Sequence, residues 1–233
     1  MANVSVILPC LNEEKSIGES IKNIQEVFKR GAIDGEIVVV DNGSTDHSAL
    51  IARKFPITYV YEPRHGYGLA YQAGFAQAAG GVVVMGDPDS SYDFNDIPRF
   101  LSHLEGHDVV LGSRFLGRME KGAMPLLHRY VGNPFLRFLL RSLFGLRISE
   151  SCTGFLAIRR DKLELLELKE PGMEFSSELL VRIRQKNLHL AEIPINYYRR
   201  AGNSKLRTFR DGWRHLIFMV REKASGWRTQ GEE

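Results

Sequence analysis

The segment Ile37-Val38-Val39-Val40 narrows the possible folds more than any other feature of the chain. β-Branched residues favour extended backbone, and four in succession leave neither face of the strand polar, so both faces must be covered. Val4-Ser5-Val6-Ile7-Leu8 and Val82-Val83-Val84-Met85 are further short runs of this kind. Helical periodicity fills the intervals. Ile17, Ile21, Ile24, Val27 and Phe28 share one helix face, and Gly31 and Gly35 close that helix. The spacing predicts helices over 48–55, 69–79 and 96–104, and strands over 58–61 and 109–111. Such alternation predicts an α/β fold, an open, mostly parallel sheet with helices on both faces.

The second half is less regular. One or two helices are expected over 126–144, a strand over 154–158, a helix over 175–185, an extended segment over 191–198 and an amphipathic helix over 209–221. No repeat or Pro/Gly/Ser-rich linker divides the 233 residues, so a single domain over 1–233 is expected. Met1-Ala2-Asn3-Val4 runs straight into the first strand, which predicts no secretory leader. No apolar run approaches the ~20 residues that span a bilayer. Cys10 and Cys152 lie far apart in sequence and read as reduced core thiols of a cytosolic protein.

Charge divides the chain at about residue 113. Residues 1–113 carry 8 Lys/Arg against 15 Asp/Glu, and residues 114–233 carry 23 against 13. An acidic half suits a metal and sugar hydroxyls; a basic half suits phosphates or an anionic membrane surface.

Ligands bind such sheets beyond the carboxyl ends of the strands, and three polar clusters fall there. Gly86-Asp87-Pro88-Asp89 follows the 82–85 strand, so Asp87 and Asp89 can converge on one hard divalent cation, Mg2+ or Mn2+. The bland alternative is a turn or a helix cap. Asp41-Asn42-Gly43-Ser44-Thr45-Asp46 ends the second strand: Asp41 suits a base or ribose, and Asp46 is at least as well explained as a helix cap. Pro9-Cys10-Leu11-Asn12-Glu13-Glu14 ends the first. Arg64-His65-Gly66-Tyr67-Gly68 adds a basic, glycine-bearing loop that matches neither the P-loop nor the dinucleotide fingerprint, against a P-loop NTPase or a Rossmann dehydrogenase.

In that order, Pro9-x-x-Asn12-Glu13, Val40-Asp41-x-Gly43-Ser44-x-Asp46, Asp87-x-Asp89 and Gly112-Ser113-Arg114 resemble family 2 inverting glycosyltransferases of the GT-A fold, the Rossmann-like fold of nucleotide-diphospho-sugar transferases. Gly154-Phe155, Gly172-x-x-Phe175-x-x-Glu178, Glu192-Ile193-Pro194-Ile195 and Ser204-Lys205-Leu206 are similar to the polyprenyl (dolichyl) phosphate mannose and glucose synthase branch. The resemblance runs from about residue 4 to about residue 220. It implies a nucleotide-sugar-binding half over 1–113 and an acceptor-side half over 114–233, with transfer from a UDP- or GDP-sugar to a polyprenyl phosphate. By the same resemblance Pro9, Asn12, Glu13 and Asp41 hold the nucleoside, and Asp87 and Asp89 the cation and diphosphate. Ser91 stands where mannose synthases often carry a glutamine ligand, so Ser91 or Asp93 completes the metal shell through water. Arg114 and Arg129 correspond to acceptor-phosphate arginines, and Arg199 and Lys205 to basic residues that close over the diphosphate. The cationic Arg64 loop lies on the donor side. Glu150 departs from the pattern, which has aspartate there.

A lipid phosphate is already anionic and needs positioning more than deprotonation, whereas a sugar hydroxyl needs a general base. Glu150, Glu174 and Glu178 are the candidates for that base. As a cap or arginine partner each has a plainer role, preferred for Glu174. Transfer to a soluble or glycan hydroxyl is therefore the nearest rival. A nucleotidyltransferase and a non-catalytic sugar-nucleotide-binding protein are more distant ones. The 135–144 stretch mixes Phe and Leu with Arg137 and Arg141, which reads as an interfacial helix or, more plainly, a core-facing one. No nucleic-acid-binding pattern accompanies the basic charge. The expected place of action is the cytoplasmic face of a membrane, bound peripherally.

Overall fold

The computed structural model describes residues 3–202 and 208–226. Among these, seven strands form one sheet: β1 (Val4–Cys10), β2 (Gly35–Asp41), β3 (Thr58–Tyr61), β4 (Val82–Met85), β5 (Val109–Ser113), β6 (Leu156–Arg159) and β7 (Leu190–Pro194), ordered β3-β2-β1-β4-β6-β5-β7. β1 to β4 are mutually parallel and β5 pairs parallel with β7, but β6 runs antiparallel to both β4 and β5. The sheet is mostly parallel, as expected. The reversed strand follows from the path of the chain. It leaves β5 at one edge of the sheet and returns at that same edge, where Gly154 lies against Asp87, so β6 must run backwards.

Alternate strand residues feed two cores. Val6, Leu8, Ile37, Val39 and Val84 face α1 (Ile17–Arg30), α2 (Ser48–Ala52) and α4 (Ile97–His103). Ile7, Val38, Val40, Val83 and Met85 face α3 (Tyr67–Gln77), α5 (Asn133–Phe144), α6 (Arg160–Glu164), α7 (Phe175–Gln185) and α8 (Thr208–Ala224). This is the two-sided covering that the Ile37–Val40 run demands. Burying such side chains contributes about 1.5–3 kcal/mol each, so both faces of the sheet stay covered.

The helix boundaries differ from expectation where proline acts. α2 stops at Ala52 rather than 55, because Phe55 precedes Pro56 and helical backbone is disfavoured there. The 126–144 stretch is a π-helical turn, His128–Gly132, running into α5. Pro134, lacking an N–H, sits in the first turn of α5, where none is needed. α3 starts at Tyr67, two residues before the expected start, and α6 was not anticipated. The expected extended segment over 191–198 is β7 plus Tyr197, which bridges to Tyr92 and Met119.

Candidate active site

Strand register brings the polar clusters together. Cys10 pairs with Asp41 and Asp41 with Tyr61, while Met85 pairs with Ile7, so Asp87 comes level with Pro9. Asn12 adopts a left-handed backbone (φ 54°), a conformation asparagine tolerates better than most residues. Its Oδ1 accepts from Thr45 N at 2.7 Å and Asp46 N at 3.3 Å, and its own N–H donates to Ser44 Oγ at 3.0 Å. Glu13 N donates to Ser48 Oγ at 2.7 Å, and buried Glu13 turns its carboxylate towards Arg200. Asp46 accepts from Ser48 N and Glu14 N at 2.9 and 3.1 Å, bracing the turn one residue ahead of His47, which takes the N-cap position of α2. Buried Asp41 accepts from Ser44 N at 2.8 Å and from the Tyr59 hydroxyl at 2.7 Å. Asn42, which the sequence did not single out, ties the second loop to the third. Its Nδ2 donates to the Glu62 and Arg64 carbonyls and its Oδ1 accepts from Gly66 N. Arg64 itself is exposed and pairs with Glu62 at 2.8 Å.

The acidic pair lies at the centre. Asp87 accepts from the hydroxyls of Tyr67 at 3.1 Å and Tyr71 at 3.4 Å. Burial, and then the charge of Asp89, push its carboxyl up to about 6 despite the nearby Tyr67 hydroxyl and the Arg200 and Arg114 charges. A Cβ at Gly154 would lie 2.3 Å from Asp87 Oδ2 and 2.8 Å from the Tyr67 hydroxyl, so glycine there lets the carboxylate pack directly against the backbone. Asp89 is buried; its Oδ1 accepts from Ser91 N at 2.9 Å and from the Ser91 hydroxyl, and its Oδ2 meets Arg200 Nη2 at 2.5 Å. Ser91, proposed from sequence for the metal shell, thus points its hydroxyl at Asp89. Asp93 caps the turn at Phe94–Asp96 by accepting from Asn95 N. A carboxylate pair whose charges repel, Asp87 half-buried and Asp89 buried, suits a hard divalent cation. Among the described residues no group of three or more His, Cys, Asp or Glu side chains converges as a complete ligand set.

Arg114 follows β5. Its Nε and Nη2 donate to the fully buried Glu150 at 2.8 and 2.9 Å, Nη2 also donates to the Cys152 carbonyl at 2.7 Å, and its guanidinium lies 4.9 Å from the Tyr197 ring centre. Asn133 Nδ2 donates to Glu150 as well, at 2.5 Å. Burial raises the Glu150 pKa, but the Arg114 charge and its hydrogen bonds outweigh this and hold the carboxyl below its usual range. Glu174 pairs with Arg214 at 2.6 Å, and Glu178 accepts from Lys169 N and Glu170 N. All three glutamates considered as bases thus have structural partners. Arg129 sits in the π-helical turn with its guanidinium 5.4 Å from the Tyr130 ring centre.

Adjacent arginines at 199 and 200 part company. Arg199 is exposed, with its N–H on Glu120 and its Nε on the Lys121 carbonyl at 2.8 Å. Arg200 is the one that reaches the aspartates. Lys205 lies outside the described residues, as do Ser204 and Leu206. Among the described residues no helix is long and apolar enough to cross a membrane.

Comparison with known proteins identifies the family. Residues 5–166 match the model of glycosyl transferase family 2. A low-salt glycan biosynthesis hexosyltransferase, Agl6, of Haloferax volcanii is 37% identical over 219 residues; these cover 93% of this chain but 53% of the relative, so the chain spans about half of that protein's length. A dolichyl-phosphate hexose transferase of the same organism is 36% identical, covering 90% of this chain and 89% of the relative. Among solved structures, a glucosyl-3-phosphoglycerate synthase of Mycobacterium tuberculosis, crystallised with Mn2+ and UDP-glucose, superposes with a TM-score of 0.72 at 23% identity, over 96% of this chain and 79% of that one. At that identity the likeness speaks for the fold, which is GT-A. The chain is a glycosyltransferase and belongs to glycosyl transferase family 2.

Proposed function

We propose that the chain transfers a hexose from a UDP- or GDP-sugar to a polyprenyl phosphate, with Mg2+ or Mn2+ held by Asp87 and Asp89, as a peripheral enzyme on the cytoplasmic face of a membrane. The observation that carries this reading is a juxtaposition. Asp87 and Asp89 adjoin Arg114–Glu150–Asn133, and Asn133 begins α5, beside which Leu126, Leu127, Tyr130, Val131, Phe135 and Phe138 are exposed. An anionic head group beside an apolar surface is the chemistry of a lipid phosphate. The Haloferax relative named as a dolichyl-phosphate hexose transferase, similar over most of both chains, supports the same acceptor.

In this reading a phosphate oxygen of the acceptor attacks the anomeric carbon, the bond from that carbon to the diphosphate oxygen breaks, and a nucleoside diphosphate leaves. A bound divalent cation would neutralise the charge growing on that leaving group. No proton need be removed from the nucleophile, which matches a Glu150 already ionised and paired. Asn12 and Asp41 fix the loops around the nucleoside, with Pro9, Glu13 and Arg64 along its rim. Arg129 meets the acceptor phosphate. Arg114 holds Glu150 and Asn133 in place beside it, and Lys205 remains assigned to the diphosphate.

The test is a panel of UDP- and GDP-sugars, assayed for nucleoside diphosphate release with and without polyprenyl phosphate and with and without Mn2+. Asp89→Ala should lower turnover by ~10²–10³, the usual cost of losing one preorganised electrostatic group. Full activity of that variant, or in excess chelator, would overturn the cation assignment. Product that stays in the aqueous phase on solvent extraction would move the acceptor to a soluble hydroxyl.

A further inference from the structure

The Arg200 guanidinium already supplies Asp89 with the positive charge that a bound cation would bring. Its Nη2 lies 2.5 Å from Asp89 Oδ2 and 3.7 Å from Glu13 Oε1. The backbone aims it there: Tyr198 N donates to the Ser91 carbonyl at 3.0 Å and Ala201 N to the Asp89 carbonyl at 2.9 Å, clamping the segment on either side of Arg200. The side chain is largely covered, and its buried Nε has no hydrogen-bond partner among the described residues. A buried guanidinium donor without an acceptor is costly, so this N–H is poised for an anionic ligand.

We propose that Arg200 is a movable counter-ion. Without donor it neutralises Asp89 and Glu13 and so weakens binding of a divalent cation. When the donor diphosphate arrives, the guanidinium transfers to it and releases Asp89 Oδ2 to the cation. This rests on the cation reading above and adds a residue to it that neither the motifs nor the relatives' names assign.

The arrangement makes two ligands share one charged group, and that has a thermodynamic signature. A fixed positive charge at 200 would weaken Mn2+ binding and strengthen nucleotide binding independently, leaving the coupling between them unchanged. A guanidinium that passes from Asp89 to the diphosphate adds to the coupling itself, because each ligand then relieves a cost of binding the other.

The experiment titrates Mn2+ by electron paramagnetic resonance of the free ion, on the full chain, with no sugar donor and no turnover. Wild type and Arg200→Gln are compared alone and with UDP, with GDP in parallel. Arg200→Gln should bind Mn2+ alone more tightly than wild type. The factor by which UDP or GDP improves Mn2+ affinity should fall by the order of tenfold, within the usual span of such couplings. Matched thermal unfolding checks that the variant is folded; if it is not, Arg200→Lys, which keeps the charge but loses the planar fork, replaces it with a partial fall expected. An unchanged coupling factor in a folded variant overturns the proposal and leaves Arg200 a fixed charge. Failure of the wild type to bind Mn2+ even with either nucleotide overturns the cation reading along with it.

Discussion

Single residues show how close sequence reading comes to a site, and where physics hides the rest. Asp87, Asp89 and Asp41 were legible because each follows a buried strand. Arg200 was not, because extended backbone sends neighbouring side chains to opposite sides and the sequence presents Arg199 and Arg200 alike. Tyr67 stood in the 64–68 loop without a role and Tyr71 in no motif; only the packing of α3 brings their hydroxyls to Asp87. Arg114 was assigned from the motif alone, which says nothing of the partner that seats it. With Glu150 it forms a buried ion pair, and removing one partner of such a pair strands the other charge. Arg114→Met should therefore lose about 3–5 kcal/mol of stability in urea unfolding, and Arg114→Met with Glu150→Leu should regain most of it. Equal loss in the single and double variants would show that the pair is not what holds this corner of the fold.

Elements were legible in proportion to their regularity. β-Branched runs and 3.6-residue periodicity located the strands and long helices, because both reflect which faces are buried. Strand direction at β6 depends on where a 42-residue excursion from 114 to 155 returns, which no local pattern encodes. The α7–α8 contact is likewise tertiary. The Ser177 hydroxyl and His215 Nδ1 lie 2.7 Å apart between the helices, flanked by Glu174–Arg214 and Arg182–Glu222 pairs. Burial pushes the His215 imidazole down to about 4; Glu174 and Asp211 oppose this shift and Arg214 adds to it. Its folded value is thus below its unfolded one, so the unfolded chain takes up the proton first as pH falls. The stabilising contribution is present above about 6.5 and lost progressively towards pH 4. Wild type should lose about 2 kcal/mol more than His215→Gln between pH 7.5 and pH 5 in urea unfolding. Parallel pH profiles would mean that this histidine does not titrate across folding.

At the scale of the whole molecule, the uneven charge acquires a location. The 135–144 stretch is an amphipathic helix: Leu136, Leu140 and Phe144 enter the core, as the plainer reading expected, while Phe135 and Phe138 remain outside. α5 packs against α8, and these helices with the segment leading into α5 carry the exposed Leu126 (72% exposed), Tyr130 (66%), Phe138 (63%), Phe209 (86%) and Trp213 (62%), with Arg141, Arg210 and Arg221 also exposed. Such apolar area is unusual for a face turned to water and suits a membrane interface, where aromatic rings enter the head-group layer and cations meet anionic lipid. Each cation there contributes about 1 kcal/mol, and salt screens it within a Debye length. Binding to anionic vesicles should accordingly be reversible and fall steeply as ionic strength rises. Arg137 is a poor site for testing this, because its Nε is fixed on the Ile148 carbonyl at 2.9 Å and its loss would disturb the helix end. Arg141→Glu combined with Phe138→Ser alters the outer face alone. In co-sedimentation with phosphatidylserine-containing vesicles, this variant should bind several-fold more weakly than wild type at low salt, while its affinity for UDP or GDP in the presence of Mn2+ stays the same. Equal binding of wild type to anionic and neutral vesicles at low salt would remove the electrostatic part of the argument, and no binding to either would remove the membrane from it.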